Sequence, residues 1–166
     1  MLRLIQPLRA AISVRRLIIG AAVVFAALQL TNPARTNPPV REGADALATH
    51  SPPAEISALL RRACYDCHSC ETTWPWYSRV APMSWLIVGH VNDGRRRLNF
   101  SDWPHDDPKR SARKWNRVGE ALESGEMPIP SYTWIHAAAR LTPEERKALE
   151  QWTEQEAARL NSAAGN

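Results

Sequence analysis

The chain has 166 residues, 44% of them hydrophobic, with a formal net charge of +4 and a pI of about 9.3. This length allows one domain of ordinary size plus an appendage. Four of the 21 basic residues lie within residues 1–30, which leaves 17 basic and 17 acidic residues in the remainder. The basic pI therefore comes from the N-terminal end and gives no support to nucleic-acid binding, which needs a basic face on the folded domain.

Residues 1–30 have the pattern of a signal-anchor or transmembrane segment. Basic residues precede the uncharged run at 17–30, in the order of a secretory n-region followed by an h-region. The basic residues are Arg3, Arg9, Arg15 and Arg16. The run is shorter than the ~20 residues of a full span, and no clean A-x-A cleavage site follows it. We expect an uncleaved anchor, with a cleaved leader as the alternative.

A linker and a single domain are predicted after this segment. Residues 31–53 carry five prolines and little apolar periodicity, so they predict an extended, proline-rich linker. The domain is predicted to cover residues 54–160. Its first helix starts at Ala54, where apolar residues recur at helical spacing and lead directly into Cys64.

Three further helices are predicted in this domain. The first runs from about Pro82 to Leu98, and the second from about Ser111 to Glu123. The last begins at Thr142, because threonine, proline and a glutamate three residues on form a capping box. No segment has the alternation of a β-strand, so the folded part is predicted to be all-α.

The segment Cys64-Tyr65-Asp66-Cys67-His68 has the C-x-x-C-H pattern of covalent haem attachment. In such a site each thiol bonds one haem vinyl group, and the histidine reaches the iron from one face. The pattern predicts one haem c per chain, held by Cys64 and Cys67, with His68 as the proximal iron ligand. The alternatives are a thioredoxin-type dithiol, which expects a βαβ context, and a zinc site including Cys70, which usually draws ligand pairs from two separated segments.

Several residues compete for the sixth position of the iron. Met127 lies in a proline-stiffened loop ahead of the capped last helix, and we predict it as the ligand. His90 shares a helix face with Leu86 and Gly94 and is the alternative. The weaker candidates are His136, His50 and His105.

The aromatic segment Trp74-Pro75-Trp76-Tyr77 is predicted to form a wall of the haem crevice, with ordinary core packing as the alternative. Two basic clusters lie at residues 95–97 and 109–117. We interpret them as solvated helix faces. The alternative is pairing with haem propionates or with an acidic redox partner.

In combination these motifs resemble the bacterial haem-binding domain family of membrane-anchored, c-type-cytochrome-like proteins. The likeness covers roughly residues 37–152. The residues that carry it are Asn37-Pro38-Pro39-Val40, the segments 64–69 and 74–78, Ala81-Pro82, Ser84-Trp85, His90, Gly94-Arg95, Leu98-Asn99-Phe100-Ser101, Gly125-Glu126-Met127-Pro128, Tyr132 and His136. Cys70 departs from the family's pattern, which has asparagine at this position.

The resemblance implies a small c-type-cytochrome-like haem domain without an established chemistry of its own, so its function is argued from the site. With His68 and Met127 on the iron, we expect electron transfer with redox partner proteins rather than enzymatic activity. The alternative is a haem enzyme or gas sensor, such as a small peroxidase, with a displaceable distal ligand. The arginine-rich end predicts a bacterial inner-membrane protein whose domain faces the periplasm, or a soluble periplasmic protein after cleavage.

Overall fold

The computed structural model describes residues 13–165. Its α-helices, in chain order, are α1 Val14–Gln29, α2 Ala46–His50, α3 Ala54–Ala63, α4 Tyr65–His68, α5 Met83–Arg97, α6 Pro108–Glu123, α7 Pro130–Ile135 and α8 Pro143–Ala163. Two short 3-10 helices lie at Trp76–Arg79 and Ala137–Ala139. Residues 13–165 contain no β-strand, and the all-α prediction is confirmed for this part of the chain.

The helix signals read from the sequence are present in the structure. In α8 the Thr142 hydroxyl accepts from the Glu145 N–H at 3.2 Å, and the Glu145 carboxylate accepts from the Thr142 N–H at 2.9 Å. This capping box satisfies two backbone donors that the first turn leaves unpaired. Helix α6 begins earlier than predicted, at Pro108, because Asp107 accepts from the Arg110 N–H at 2.8 Å and caps its N-terminus.

A column of aromatic rings forms the core. Phe100 stacks on Tyr65 at 5.1 Å and on Trp103 at 5.6 Å between ring centroids. Trp115 follows at 4.4 Å from Trp103, and Trp152 lies 4.7 Å from Trp115. Because Tyr65 belongs to α4, Trp115 to α6 and Trp152 to α8, this column joins the C-x-x-C-H segment to the packed pair of α6 and α8.

The segment predicted as a linker is extended at first and folded in its second half. Helix α2 lies within it, and Ala46 and Leu47 are buried in the core. The Ala46 N–H donates to the Phe100 carbonyl at 2.7 Å, and the Trp103 N–H donates to the Ala44 carbonyl at 2.8 Å. The core therefore begins about ten residues before Ala54. Short segments such as α2 carry too few apolar positions to show a period in the sequence.

Helix α1 covers most of the run at 17–30 and buries none of its side chains. Arg3 and Arg9, on which the predicted n-region partly depends, lie outside the described residues. Within residues 13–165, no helix combines the length and the apolarity needed to cross a membrane. The predicted transmembrane segment is therefore not confirmed.

Candidate functional site

The two thiols and the imidazole of the motif lie on a single turn of chain. Cys64 ends α3, and the motif continues directly as α4. The Cys67 and His68 N–H groups both donate to the Cys64 carbonyl, at 3.2 and 3.0 Å. The apolar stripe of α3 is buried, as predicted from its spacing, and this fixes the direction in which the chain enters the motif.

The His68 ring is held in one tautomer by the backbone of α5. Its Nδ1 lies 3.1 Å from the Gly94 carbonyl oxygen and 3.0 Å from the Leu98 carbonyl oxygen. Because carbonyl oxygens only accept, Nδ1 carries the hydrogen and Nε2 carries the lone pair. Burial lowers the pKa of His68, against the opposing effect of these two hydrogen bonds. A neutral imidazole with its Nδ1–H held by a carbonyl is the usual state of a metal-ligating histidine.

A cavity of about 240 Å³ lies beside Cys67, and we call it the crevice. One wall is a stripe of α5 with helical spacing, made of Met83, Leu86, Ile87, His90 and Val91. The opposite wall comes from α7 and its ends, with Ile129, Ser131, Tyr132, Trp134, Ile135 and His136. The remaining lining residues are Asp66, Cys67, Thr72, Thr73, Pro75 and Tyr77. The lining is mostly apolar, as is typical of cofactor sites.

Asp66, at a variable position of the motif, joins the α7 wall to the motif. Its carboxylate accepts from the Tyr132 hydroxyl at 2.7 Å and from the Thr73 N–H at 2.9 Å. Burial and the hydrogen bond to Asp66 raise the pKa of Tyr132 far above its ordinary value, so the hydroxyl stays protonated. This bond holds α7 against the motif and closes the crevice on that side.

His136 lies in the crevice wall with both ring nitrogens engaged. Its Nδ1 donates to the Tyr132 carbonyl at 3.1 Å, and its Nε2 accepts from the Tyr77 hydroxyl at 2.9 Å. The Nε2 lone pair is therefore already used, and iron ligation by His136 would require loss of the Tyr77 hydrogen bond. The aromatic segment 74–77 forms only part of the crevice wall. Pro75 and Tyr77 line the crevice, whereas Trp76 is 76% exposed.

The candidates for the sixth position are placed differently by the fold. His90 lines the crevice together with Cys67. Met127 is half-buried, with its carbonyl accepting from Arg146 at 3.0 Å, but it is not among the residues that line the crevice. His50 is buried elsewhere between Glu156 and Ser111, and His105 is exposed.

The basic cluster at 95–97 also has a structural use. The Arg95 guanidinium donates to the Ser69 carbonyl at 2.6 Å, the Thr36 carbonyl at 2.7 Å and the Asn37 side chain at 2.9 Å. Arg95 thus fastens the extended linker to the loop that follows the motif. Since its donors are used in this way, it is a poor candidate for pairing with haem propionates.

The dithiol and zinc alternatives receive no support from the site. Burial raises the pKa of Cys64 to about 12 and that of Cys67 to about 11. Redox-active thiols of the thioredoxin type need the opposite, a lowered pKa that supplies thiolate. In the part of the chain that the structure describes, no three His, Cys, Asp or Glu side chains converge on a metal-sized site.

The residues present fit a haem. Two thiols and a neutral imidazole with a lone pair on Nε2 lie on one turn, and Cys67 lines a mostly apolar crevice. Cys64 and His68 are not among the residues that line this crevice, so only one of the three donors faces it directly. Sequence reasoning named Tyr132 and His136 but missed Met83, Asp66 and the helix α7 that forms one wall of the crevice. Two signals could have indicated this wall: Pro130 at the first position of a helix, and the spacing of Tyr132 and His136 on one face of it.

One comparison with known proteins identifies the family of the chain. Neither the curated proteins nor the solved structures contain a significant match to the chain. A family model described as "Haem-binding domain" matches residues 23–155, which include the motif and both walls of the crevice. The chain therefore belongs to the haem-binding domain family.

Proposed function

We propose that the chain is a covalent haem c protein that carries electrons outside the cytoplasm. The observation that carries this proposal is the His68 tautomer, which leaves a lone pair on Nε2 one residue after two thiols. Cys64 and Cys67 would each add an S–H across a vinyl C=C bond, a step that needs no oxidant and has no leaving group. The bound haem would supply reversible one-electron transfer at its iron.

We propose His90 as the sixth ligand in place of Met127. His90 lines the crevice, and it lies one helical turn before Gly94, whose carbonyl holds the His68 ring. Met127 stays a prediction from the sequence. Ile129, two residues after Met127, lines the crevice, whereas Met127 does not.

A second candidate function, binding of a small ligand or peroxide, is favoured by one feature of the crevice. Tyr77 and His136 form a hydrogen-bonded pair in its wall, and such a pair could exchange a proton with a bound molecule. Carbon monoxide separates the two functions. A reduced protein that resists carbon monoxide fits electron transfer, whereas ready binding fits a sensor or enzyme.

The proposed location is the periplasmic side of the bacterial inner membrane, with the arginine-rich N-terminal end inside. The exposure of every apolar side chain in the first three turns of α1 supports a membrane contact for this helix. The proposed partners are redox proteins on the same side.

The test is a pyridine haemochrome spectrum of the full chain, expressed together with a cytochrome c maturation system. We expect the spectrum of a haem with two thioether bonds, and a haem stain at the protein's own mass after denaturing electrophoresis. The control is a variant with both Cys64→Ser and Cys67→Ser, which should give no stain. Extraction of all haem from the wild type by acidified acetone would refute covalent attachment.

A further inference from the structure

Large apolar side chains are exposed around the mouth of the crevice. Trp134 is 83% exposed and Trp76 is 76% exposed, and Ile135 and Leu86 add further apolar surface. Leu86, Trp134 and Ile135 line the crevice, while Trp76 packs against Tyr77 at 5.8 Å between ring centroids. We call Trp76, Leu86, Trp134 and Ile135 the collar. Exposed large apolar side chains grouped in this way around one cavity are typical of a contact surface.

Helix α1 is fastened beside the collar. The Gln29 side chain accepts from the Ala81 N–H at 2.9 Å and donates to the Ala81 carbonyl at 3.4 Å. The Trp85 indole, next to Leu86 of the collar, donates to the Thr31 carbonyl at 3.0 Å. The C-terminal end of α1 is therefore fixed at the start of α5. A helix without acidic residues and with no buried side chain therefore joins the domain at the start of α5, the helix that forms one wall of the crevice.

The chain segments around the collar carry basic side chains and no acidic ones. Helix α1 and the two segments that supply most of the collar and crevice lining, residues 72–92 and 127–142, contain no aspartate or glutamate. Their arginines are Arg15, Arg16, Arg79 and Arg140. Asp66, the carboxylate inside the crevice, is engaged by Tyr132. A surface with basic and apolar side chains but no acids matches an anionic lipid surface, which attracts arginine within a Debye length.

From these three observations we infer that the collar sits in the headgroup region of a lipid bilayer, so that the crevice opens towards the membrane. Tryptophan favours this region because its ring is apolar and its N–H is polar. Helix α1 and the collar would then enter the same leaflet. The inference rests on the proposed function, because the membrane contact would turn the opening of the haem crevice towards the bilayer, and electrons would pass through that opening.

A lipid surface explains the collar better than a second protein does. A protein partner would account for the exposed tryptophans, but not for the exposed apolar helix fixed beside them or for the absence of acids from all three segments. A second copy of this chain would bring two basic faces together, which is electrostatically unfavourable.

The test uses the full haem-loaded chain in vesicles of phosphatidylethanolamine and phosphatidylglycerol. Trp134 is replaced by the photoreactive residue p-benzoyl-phenylalanine, and the irradiated sample is analysed by mass spectrometry. Since Trp134 is exposed, its replacement leaves the core unchanged. The matched control carries the same photoreactive residue at Gln151, an exposed position on α8 away from the crevice. A second variant is labelled at Trp76.

We expect phospholipid adducts at positions 134 and 76, in several-fold excess over position 151. Equal adduct yields at 134 and 151, no lipid adduct at 134, or protein-to-protein cross-links in place of lipid adducts would each overturn the inference. A haemochrome spectrum of the variant labelled at Trp76, a position that does not line the crevice, reports separately on the proposed function. Lipid adducts without covalent haem would refute the haem proposal and support the membrane contact. Covalent haem without lipid adducts would refute the membrane contact alone.

Discussion

Gly94 of α5 lies directly against the main chain of Cys67. A Cβ atom at position 94 would stand 2.5 Å from the Cys67 carbonyl oxygen, closer than real Cβ contacts come. The carbonyl of the same glycine accepts from the His68 ring. The missing side chain therefore lets α5 approach the motif closely enough to orient the proximal histidine.

Gly94→Ala should destabilise the domain. The added methyl group meets backbone rather than a movable side chain, so α5 has to shift, and overpacking of this kind costs about 1–3 kcal/mol. The measurement is the free energy of unfolding in urea. The control is Gly89→Ala in the same helix, where a Cβ meets nothing within 4 Å. It should stabilise the domain by about 0.5–1 kcal/mol, as helix glycine-to-alanine changes do. Similar effects of the two substitutions would contradict the close approach.

The sixth ligand can be assigned from the spectra of two variants. With His90 on the iron, ferric wild-type protein should lack the charge-transfer band near the red end of the spectrum that marks methionine ligation. His90→Ala should convert the haem to a high-spin form that binds carbon monoxide, and Met127→Ala should leave the spectrum unchanged. The reduction potential should also be low, because methionine ligation raises it. A red-end band in the wild type that disappears in Met127→Ala would give the position to Met127.

Cys70 should be dispensable for haem attachment. Its N–H donates to the Ser101 hydroxyl at 2.9 Å, and its Sγ lies 3.9 Å from the Asn99 side-chain nitrogen, so the loop at residues 99–101 holds it away from the attachment pair. Cys70→Ser should therefore keep its covalent haem and its spectrum, as judged by haem staining and absorption. Cys64→Ser is the matched control and should lose one thioether bond. Loss of haem staining in Cys70→Ser would show that the third thiol takes part in attachment.

Local signals in the sequence predict the longer helices of the domain, and the structure confirms them. Capping chemistry at Thr142 and the apolar spacing of α3 depend only on neighbouring residues, so they can be read without knowledge of the fold. The aromatic column could not be found in this way. Phe100 and Trp103 belong to a loop with no period, and their burial results from pairing with Tyr65 and Trp115 in distant helices.

Some residues of the crevice can likewise be predicted from their neighbours in the sequence, whereas others depend on contacts with distant parts of the chain. The sequence identifies His90 as a candidate because it falls on the apolar face of a periodic helix. The role of Asp66 depends on Tyr132, 66 residues further along the chain, and no local pattern indicates it. The character of its loop favours Met127, but this property does not reveal the direction of the side chain.

The core also contains a buried chain of hydrogen bonds that no motif predicted. His50 donates from Nδ1 to Glu156 at 2.5 Å and accepts at Nε2 from Ser111 at 3.1 Å, with side-chain exposures of 3% for His50 and 8% for Glu156. The Trp103 indole donates to the same serine at 2.6 Å, and Arg159 pairs with Glu156 from the outer side. Every donor in this chain has an acceptor only while His50 is neutral, because Nε2 must keep its lone pair.

This network should make stability depend on pH below the ordinary histidine pKa of 6.5. Burial lowers the pKa of His50, although Glu156 opposes this effect. As pH falls below about 6.5, the unfolded chain therefore binds a proton that the folded chain does not, and the free energy of unfolding decreases. Burial alone would raise the pKa of Glu156, but hydrogen bonds from Arg159 and His50 lower it. The stability that the ionised Glu156 carboxylate contributes is therefore lost only at more acidic pH.

His50→Gln tests this dependence. At neutral pH the variant should be less stable by about 1–3 kcal/mol, because it loses the bond to a buried carboxylate. The difference in free energy of unfolding between the wild type and this variant should shrink as pH falls towards about 5. Only the wild type has a buried neutral histidine at position 50, and so only the wild type loses stability when that histidine is protonated in the unfolded chain. Urea unfolding at several pH values measures both quantities. His105→Gln is the control: this histidine is exposed, and its replacement should leave the pH profile of the wild type in place. A constant difference between the wild type and His50→Gln across this range would show that His50 contributes only packing.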